Sequence, residues 1–142
     1  MNKKLTARTE LTIHAPAVRV WDALTTPAQI KQYLYGTKAV SKWKVGSPIF
    51  FRGTWQGKSY EDKGEILQIA PKKVLQYTYW SSLGGTPDLS DNYVTVTFRL
   101  KPGQGKTVLS VSQSPVADEN GRVAARKNWA SVLGGIKKLL EK

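Results

Sequence analysis

The sequence predicts an α+β fold: a curved antiparallel sheet wrapped around a long C-terminal helix, with two short helices after the first strand. Three observations carry this. Residues 47–113 are runs of alternating apolar side chains separated by tight-turn signals. Residues 15–36 hold two proline-led apolar stripes at helical spacing. Residues 121–140 carry a broad apolar stripe at spacings of three, four and seven. Consecutive strands with short turns make a meander, hence an antiparallel sheet with one buried face.

In chain order, residues 4–13 alternate loosely and read as a strand. Ala15-Pro16 opens a helix with proline at its first position, where a missing N–H costs nothing, and Ala17, Val20, Trp21 and Leu24 form its stripe. Thr26-Pro27-Ala28-Gln29 starts a second helix, with Thr26 as cap and Gln29 completing a capping box, and Gly36 ends it. Ser47–Trp55 and Lys58–Ala70 form a hairpin about Gln56-Gly57. Val74–Trp80 places Leu75, Tyr77 and Tyr79 on one face, and a loop follows over Ser81–Asp91. Tyr93–Leu100 alternates most clearly, with Val94, Val96, Phe98 and Leu100 on one side. Pro102-Gly103-Gln104-Gly105 turns the chain into Thr107–Gln113, whose inward row is Leu109, Val111 and Gln113. The last helix, from about Gly121 to Leu140, presents Trp129, Val132, Leu133, Ile136, Leu139 and Leu140. Gly134-Gly135 interrupts it, either for a close backbone approach or as an exposed pair.

The chain has 142 residues, which suits one domain, 1–142, with one core and no staples. It has no cysteine, which removes disulfides, thiolate metal sites and cysteine nucleophiles. His14 is its one histidine, so a multi-histidine metal centre within the chain is excluded, and no metal or cofactor is expected. No apolar run is long enough for a membrane span. Arg8 and Glu10 break any signal-peptide core, so a cytoplasmic location is expected.

Charge is the compositional outlier: 22 basic residues against 10 acidic, a net charge of +12. Sixteen of the 22 are lysine, which positions poorly for bidentate recognition, and no block of five like charges occurs. A solvated basic surface, or one that meets an acidic partner, is expected rather than specific nucleic-acid binding.

Several segments together resemble one superfamily. They are Ile13-His14-Ala15-Pro16, Val20-Trp21-Asp22-Ala23-Leu24-Thr25, Val45-Gly46-Ser47 and Trp55-Gln56-Gly57-Lys58. Gly64-Glu65-Ile66-Leu67, the run from Lys73 to Tyr79, Asn128 to Leu133, and Leu139-Leu140-Glu141 complete the set. The chain resembles SRPBCC proteins, the helix-grip fold of StAR-related lipid-transfer domains and the birch pollen allergen. Within that superfamily it is most similar to bacterial homologues of the activator of the heat-shock protein 90 ATPase. The resemblance implies a cavity between the sheet and the C-terminal helix. It also implies a choice of roles: a carrier of a hydrophobic or aromatic small molecule, a co-chaperone-like module in the stress response that binds an acidic partner surface such as a chaperone, or a cyclase or hydrolase acting in the cavity.

No residue is assigned a catalytic role. His14 sits at a strand–helix junction and reads as a surface position; Asp22 reads as a solvated helix residue. Glu61, Asp62 and Glu65 cluster on one strand, where Glu61 and Glu65 share a face with Lys63 between them; this reads as an exposed charged ladder rather than a metal site. The candidate ligand-binding residues are Tyr33, Trp55, Tyr77, Tyr79, Gln113 and Trp129. The aromatics fall on elements that should face the helix–sheet space, where they either fill the core or line a cavity. Gln113 continues the buried row of Leu109 and Val111, and a buried amide needs partners from backbone, water or ligand.

Overall fold

Among the described residues, period-two alternation produces seven strands: β1 (Leu5–Ile13), β2 (Lys38–Ser41), β3 (Pro48–Trp55), β4 (Lys58–Ala70), β5 (Val74–Tyr79), β6 (Val94–Pro102) and β7 (Thr107–Val116). They pair antiparallel in one sheet of order β1-β7-β6-β5-β4-β3-β2. The described residues also form three α-helices: α1 (Ala17–Thr25), α2 (Pro27–Tyr33) and α3 (Glu119–Leu140). The computed structural model describes residues 5–141 except Tyr35 and Gly84, and leaves the side chain of Trp55 outside the description. Among the described residues, no helix is long and apolar enough to cross a membrane.

The sheet bends at β4. Its first half pairs with β3, with Phe51 opposite Asp62, and its second half pairs with β5, with Ile66 opposite Tyr77. The handover lies at Gly64, where a side chain would run into the backbone carbonyl of Thr78. Glycine lets the two strands approach that closely and the sheet curl. The inward rows of the curl (Ile49 and Phe51, Ile66, Leu75 and Tyr77, Val96 and Phe98, Leu109 and Val111) are buried. On the outer face, Thr97 is covered by Gln76, whose amide donates to its hydroxyl at 3.0 Å.

The long helix lies across the β1 side of the sheet and buries Leu133, Ile136 and Leu140. Asp118 caps it, accepting from the backbone N–H of Gly121 at 2.8 Å, with Glu119 in the first turn and Lys137 and Lys138 in the last, as the helix dipole favours. Its far end is tied to β1. Glu141 accepts from the backbone N–H of His14 at 2.7 Å and from Lys137 at 2.5 Å, and Lys137 also donates to the Thr12 carbonyl at 3.1 Å. The His14 N–H, then Lys137, hold the Glu141 carboxyl down to about 2. His14 itself is at the surface, its side chain 66% exposed.

Several expectations are corrected. The strand β2 follows α2 unannounced: its four residues bury only Ala39, too little to set an alternating pattern. α2 ends at Tyr33, and Gly36 lies beyond it in the left-handed region. Thr26 flanks α2 but makes no side-chain capping bond; its carbonyl instead accepts from Gln29 and Ile30, so the capping box does not form. Pro16 sits one position before the first residue of α1, its carbonyl accepting from Arg19 and Val20. Strand β6 runs from Val94 to Pro102 and β7 extends to Val116, because pairing with β1 continues to Leu5 opposite Val116. The Asp118 cap starts α3 two residues earlier than Gly121. β5 stops at Tyr79, leaving Trp80 in a single bridge to Lys63.

Candidate functional site

The sheet and helices enclose a cavity of about 510 Å³. Its volume lies in the usual range for small-molecule sites. Strand alternation aims Ile49 and Phe51 of β3, Asp62 of β4, and Leu75, Tyr77 and Tyr79 of β5 into it. The helices close it with Leu24 of α1, Ile30 and Tyr33 of α2, and Trp129 and Val132 of α3. Burial gives the cavity an axis. Ile49 and Leu75 are fully buried, whereas Tyr79 is half-buried and Leu83, just beyond β5, is 47% exposed. The floor therefore lies at the Leu75 end of β5. The mouth lies between Leu83 of the β5–β6 loop and the middle of α3, whose Asn128 and Ser131 are exposed lining residues.

Five of the six candidate binding residues, Tyr33, Tyr77, Tyr79, Gln113 and Trp129, share this one cavity wall. The sixth is Trp55, whose side chain lies outside the described residues. The aromatic wall is continuous. Phe51 lies 5.8 Å from Tyr77 and 5.9 Å from Tyr79 between ring centroids, Tyr77 lies 6.3 Å from Phe98, and Trp129 meets Phe98 edge-on at 5.7 Å. Such tilted and edge-on pairs match the quadrupole preference of aromatic rings. They are packed against one another and still leave space, so core and wall are one set of side chains.

Most polar groups of the wall are engaged. Gln113 accepts the Trp129 indole N–H at 2.8 Å, which gives the half-buried amide its partner and ties β7 to α3. Tyr33 donates to the Ala23 carbonyl at 2.8 Å, joining α2 to α1. Thr37 and Tyr60 share a hydrogen bond at 2.5 Å. Tyr79 donates to the Asp62 carboxylate, which also accepts the backbone N–H of Ser82 at 3.1 Å. Burial pushes the Tyr77 hydroxyl up. The Tyr33 hydroxyl is raised by burial and then by Tyr77, and that of Tyr79 by burial and then by Asp62. All three therefore remain protonated, as donors.

Asp62 is the most consequential residue missed by sequence reasoning. It is 8% exposed and faces the cavity, on the side of β4 opposite the exposed face of Glu61 and Glu65. Parity along β4 is the signal that places it: Asp62 shares its face with buried Ile66, while exposed Glu61 and Glu65 share the other. Trp43 is a second residue missed by sequence reasoning. It lines the cavity from the β2–β3 connection in the left-handed region, its N–H donating to Ser41 Oγ at 3.0 Å. Among the described residues, no group of three or more potential ligand side chains gathers for a metal ion. The two mid-helix glycines divide the alternatives between them. A Cβ at Gly135 would come within 3.1 Å of Tyr33 Cβ, whereas Gly134 faces open space.

Comparison with known proteins agrees with this architecture. The family model described as activator of Hsp90 ATPase homolog 1-like protein matches residues 14–141. The solution structure of a Cytophaga hutchinsonii protein is 42% identical, with a TM-score of 0.88 over 99% of this chain and 97% of that one. A crystal structure from Mesorhizobium loti is 27% identical (TM-score 0.77, 96% of this chain and 97% of that one). The Aha1 dimer from Colwellia psychrerythraea shares the fold at 19% identity, with a TM-score of 0.75 over 96% of each chain. No curated protein matches.

Proposed function

The chain belongs to the activator of Hsp90 ATPase homolog 1-like family, and on that premise we propose that it is a non-catalytic binding module holding a hydrophobic or aromatic small molecule between sheet and C-terminal helix. One observation carries this reading: a cavity of about 510 Å³ whose wall is mainly aromatic and aliphatic. Space of that size in a packed core forfeits the dispersion contacts that facing side chains would make, and an apolar ligand restores them. Tyr33, Tyr77, Tyr79, Gln113 and Trp129 are the ligand-facing residues in this reading, and residues 1–142 are one domain acting in the cytoplasm. Native mass spectrometry of the protein purified without detergent tests it. A stoichiometric apolar adduct released by organic solvent is expected; a protein that never carries one and takes up no added hydrophobe contradicts it.

A second reading rests on the net charge of +12: the basic exterior docks on an acidic protein surface, as a co-chaperone-like module would. It predicts capture of an acidic partner that is lost as salt rises toward physiological strength. Capture insensitive to salt would refute it.

A further inference from the structure

Among the described residues, the cavity wall carries one acidic side chain, Asp62, and no lysine, arginine or histidine. That composition runs against the rest of a molecule with 22 basic residues and a net charge of +12. Asp62 accepts hydrogen bonds from two neighbours, the Tyr79 hydroxyl and the Ser82 backbone N–H. Among the described residues it has no ion-pair partner; neighbouring Lys63 points from the opposite face of β4 and pairs with Asp88 at 2.5 Å. A buried carboxylate ordinarily has a counter-ion, because two neutral donors compensate only part of its lost hydration. Here the space beside it is open cavity, and the rings of Phe51 and Tyr79, 5.9 Å apart, stand next to it. Aromatic faces add attraction for a cation.

We propose that the cavity selects an organic cation: an amine on an apolar or aromatic body, with its ammonium group on Asp62 near the mouth and its body toward Leu75 and Ile49. This rests on the reading of the cavity as a small-molecule site and narrows its ligand class. Carboxylates such as fatty acids are disfavoured, since their headgroup would meet Asp62 with no basic side chain in the wall to receive it. The long-range field of the protein acts the other way, so a preference for the amine isolates the local site from the overall charge.

The test is titration calorimetry of the full chain, at physiological salt, with three probes sharing one skeleton: 2-(2-naphthyl)ethylamine, 2-(2-naphthyl)ethanol and 2-naphthylacetate. The amine should bind at least about tenfold tighter than the carboxylate, with the alcohol between them, the order expected for a charge-assisted contact. Asp62→Asn, checked for folding by circular dichroism, should erase the advantage of the amine over the alcohol. If that variant does not fold, the wild-type ranking decides alone. Equal affinities, or tighter binding of the carboxylate, overturn the amine assignment and leave the cavity reading standing. Failure of all three probes to bind overturns both.

Discussion

Adjacent glycines in α3 should respond in opposite ways to one added methyl group. At position 134 an ideal Cβ meets nothing within 4 Å, so Gly134→Ala gains helix propensity and loses no packing. The expected gain is roughly 0.5–1 kcal/mol, part of it from a less flexible unfolded chain. At position 135 the same methyl would sit 3.1 Å from Tyr33 Cβ and 3.7 Å from the Tyr33 carbonyl oxygen. The obstacle is near the backbone and cannot swing away as a side-chain tip would. α2 would have to shift, and Tyr33 is anchored by its hydroxyl on the Ala23 carbonyl at 2.8 Å. Crowding of this kind costs about 1–3 kcal/mol, which offsets or exceeds the propensity gain. Gly134→Ala should therefore be more stable than Gly135→Ala by at least ~1 kcal/mol. Urea unfolding measures this as a difference in midpoint at unchanged slope. Equal stabilisation by both substitutions would refute the close approach of α2 and α3, and with it the closed side of the cavity.

Trp129→Ala removes a half-buried indole, its edge-on contact with Phe98 and its hydrogen bond to Gln113; it should cost about 2–3 kcal/mol, below the range for fully buried tryptophans, as read by chemical denaturation. Gly64→Ala drives a methyl into the Thr78 carbonyl at the bend of β4 and should destabilise by about 3 kcal/mol or prevent folding; near-wild-type unfolding would show that the bend lies elsewhere. Glu141 titrates lower in the folded chain, about 2 against an ordinary 4.5, so its contribution is complete above the ordinary value and is lost as pH falls toward 2. Glu141→Gln should lower Tm at neutral pH by a margin that shrinks across that window, and a margin independent of pH would contradict the tie between α3 and β1.

Legibility from the sequence followed the strength of each periodic pattern. β6 and α3 were readable because long apolar rows at periods of two and 3.6 leave little choice of buried face. Five binding candidates converged on one wall for the same reason: Tyr77 and Tyr79 share a row with Leu75, and Gln113 shares one with Leu109 and Val111. What periodicity cannot supply is partnership across the fold. Trp129 as the partner of Gln113, and Glu141 under His14, join residues that only the closed structure brings together. β2 escaped because four residues at the sheet edge bury one side chain. Trp43 escaped because a left-handed residue in a connection belongs to no row. Asp62 is within reach of alternation, which sets it opposite Glu61 and Glu65, but only its parity with Ile66, four residues on, marks its face as the buried one.

The central claim is that the space between sheet and helix accepts a small molecule, and Val132→Trp tests it most directly. Val132 lines the cavity from α3 and is half-buried, so an indole there fills the space without removing the acceptor of Trp129. Binding of the uncharged naphthalene dye Prodan should be followed by fluorescence for the wild type and the variant, with urea unfolding of both in parallel. Saturable one-site binding by the wild type, abolished in a variant that unfolds at the same or higher urea concentration, is the predicted result. A wild type that does not bind, with a variant destabilised by about 1–3 kcal/mol through overpacking, would show a filled core and contradict the account.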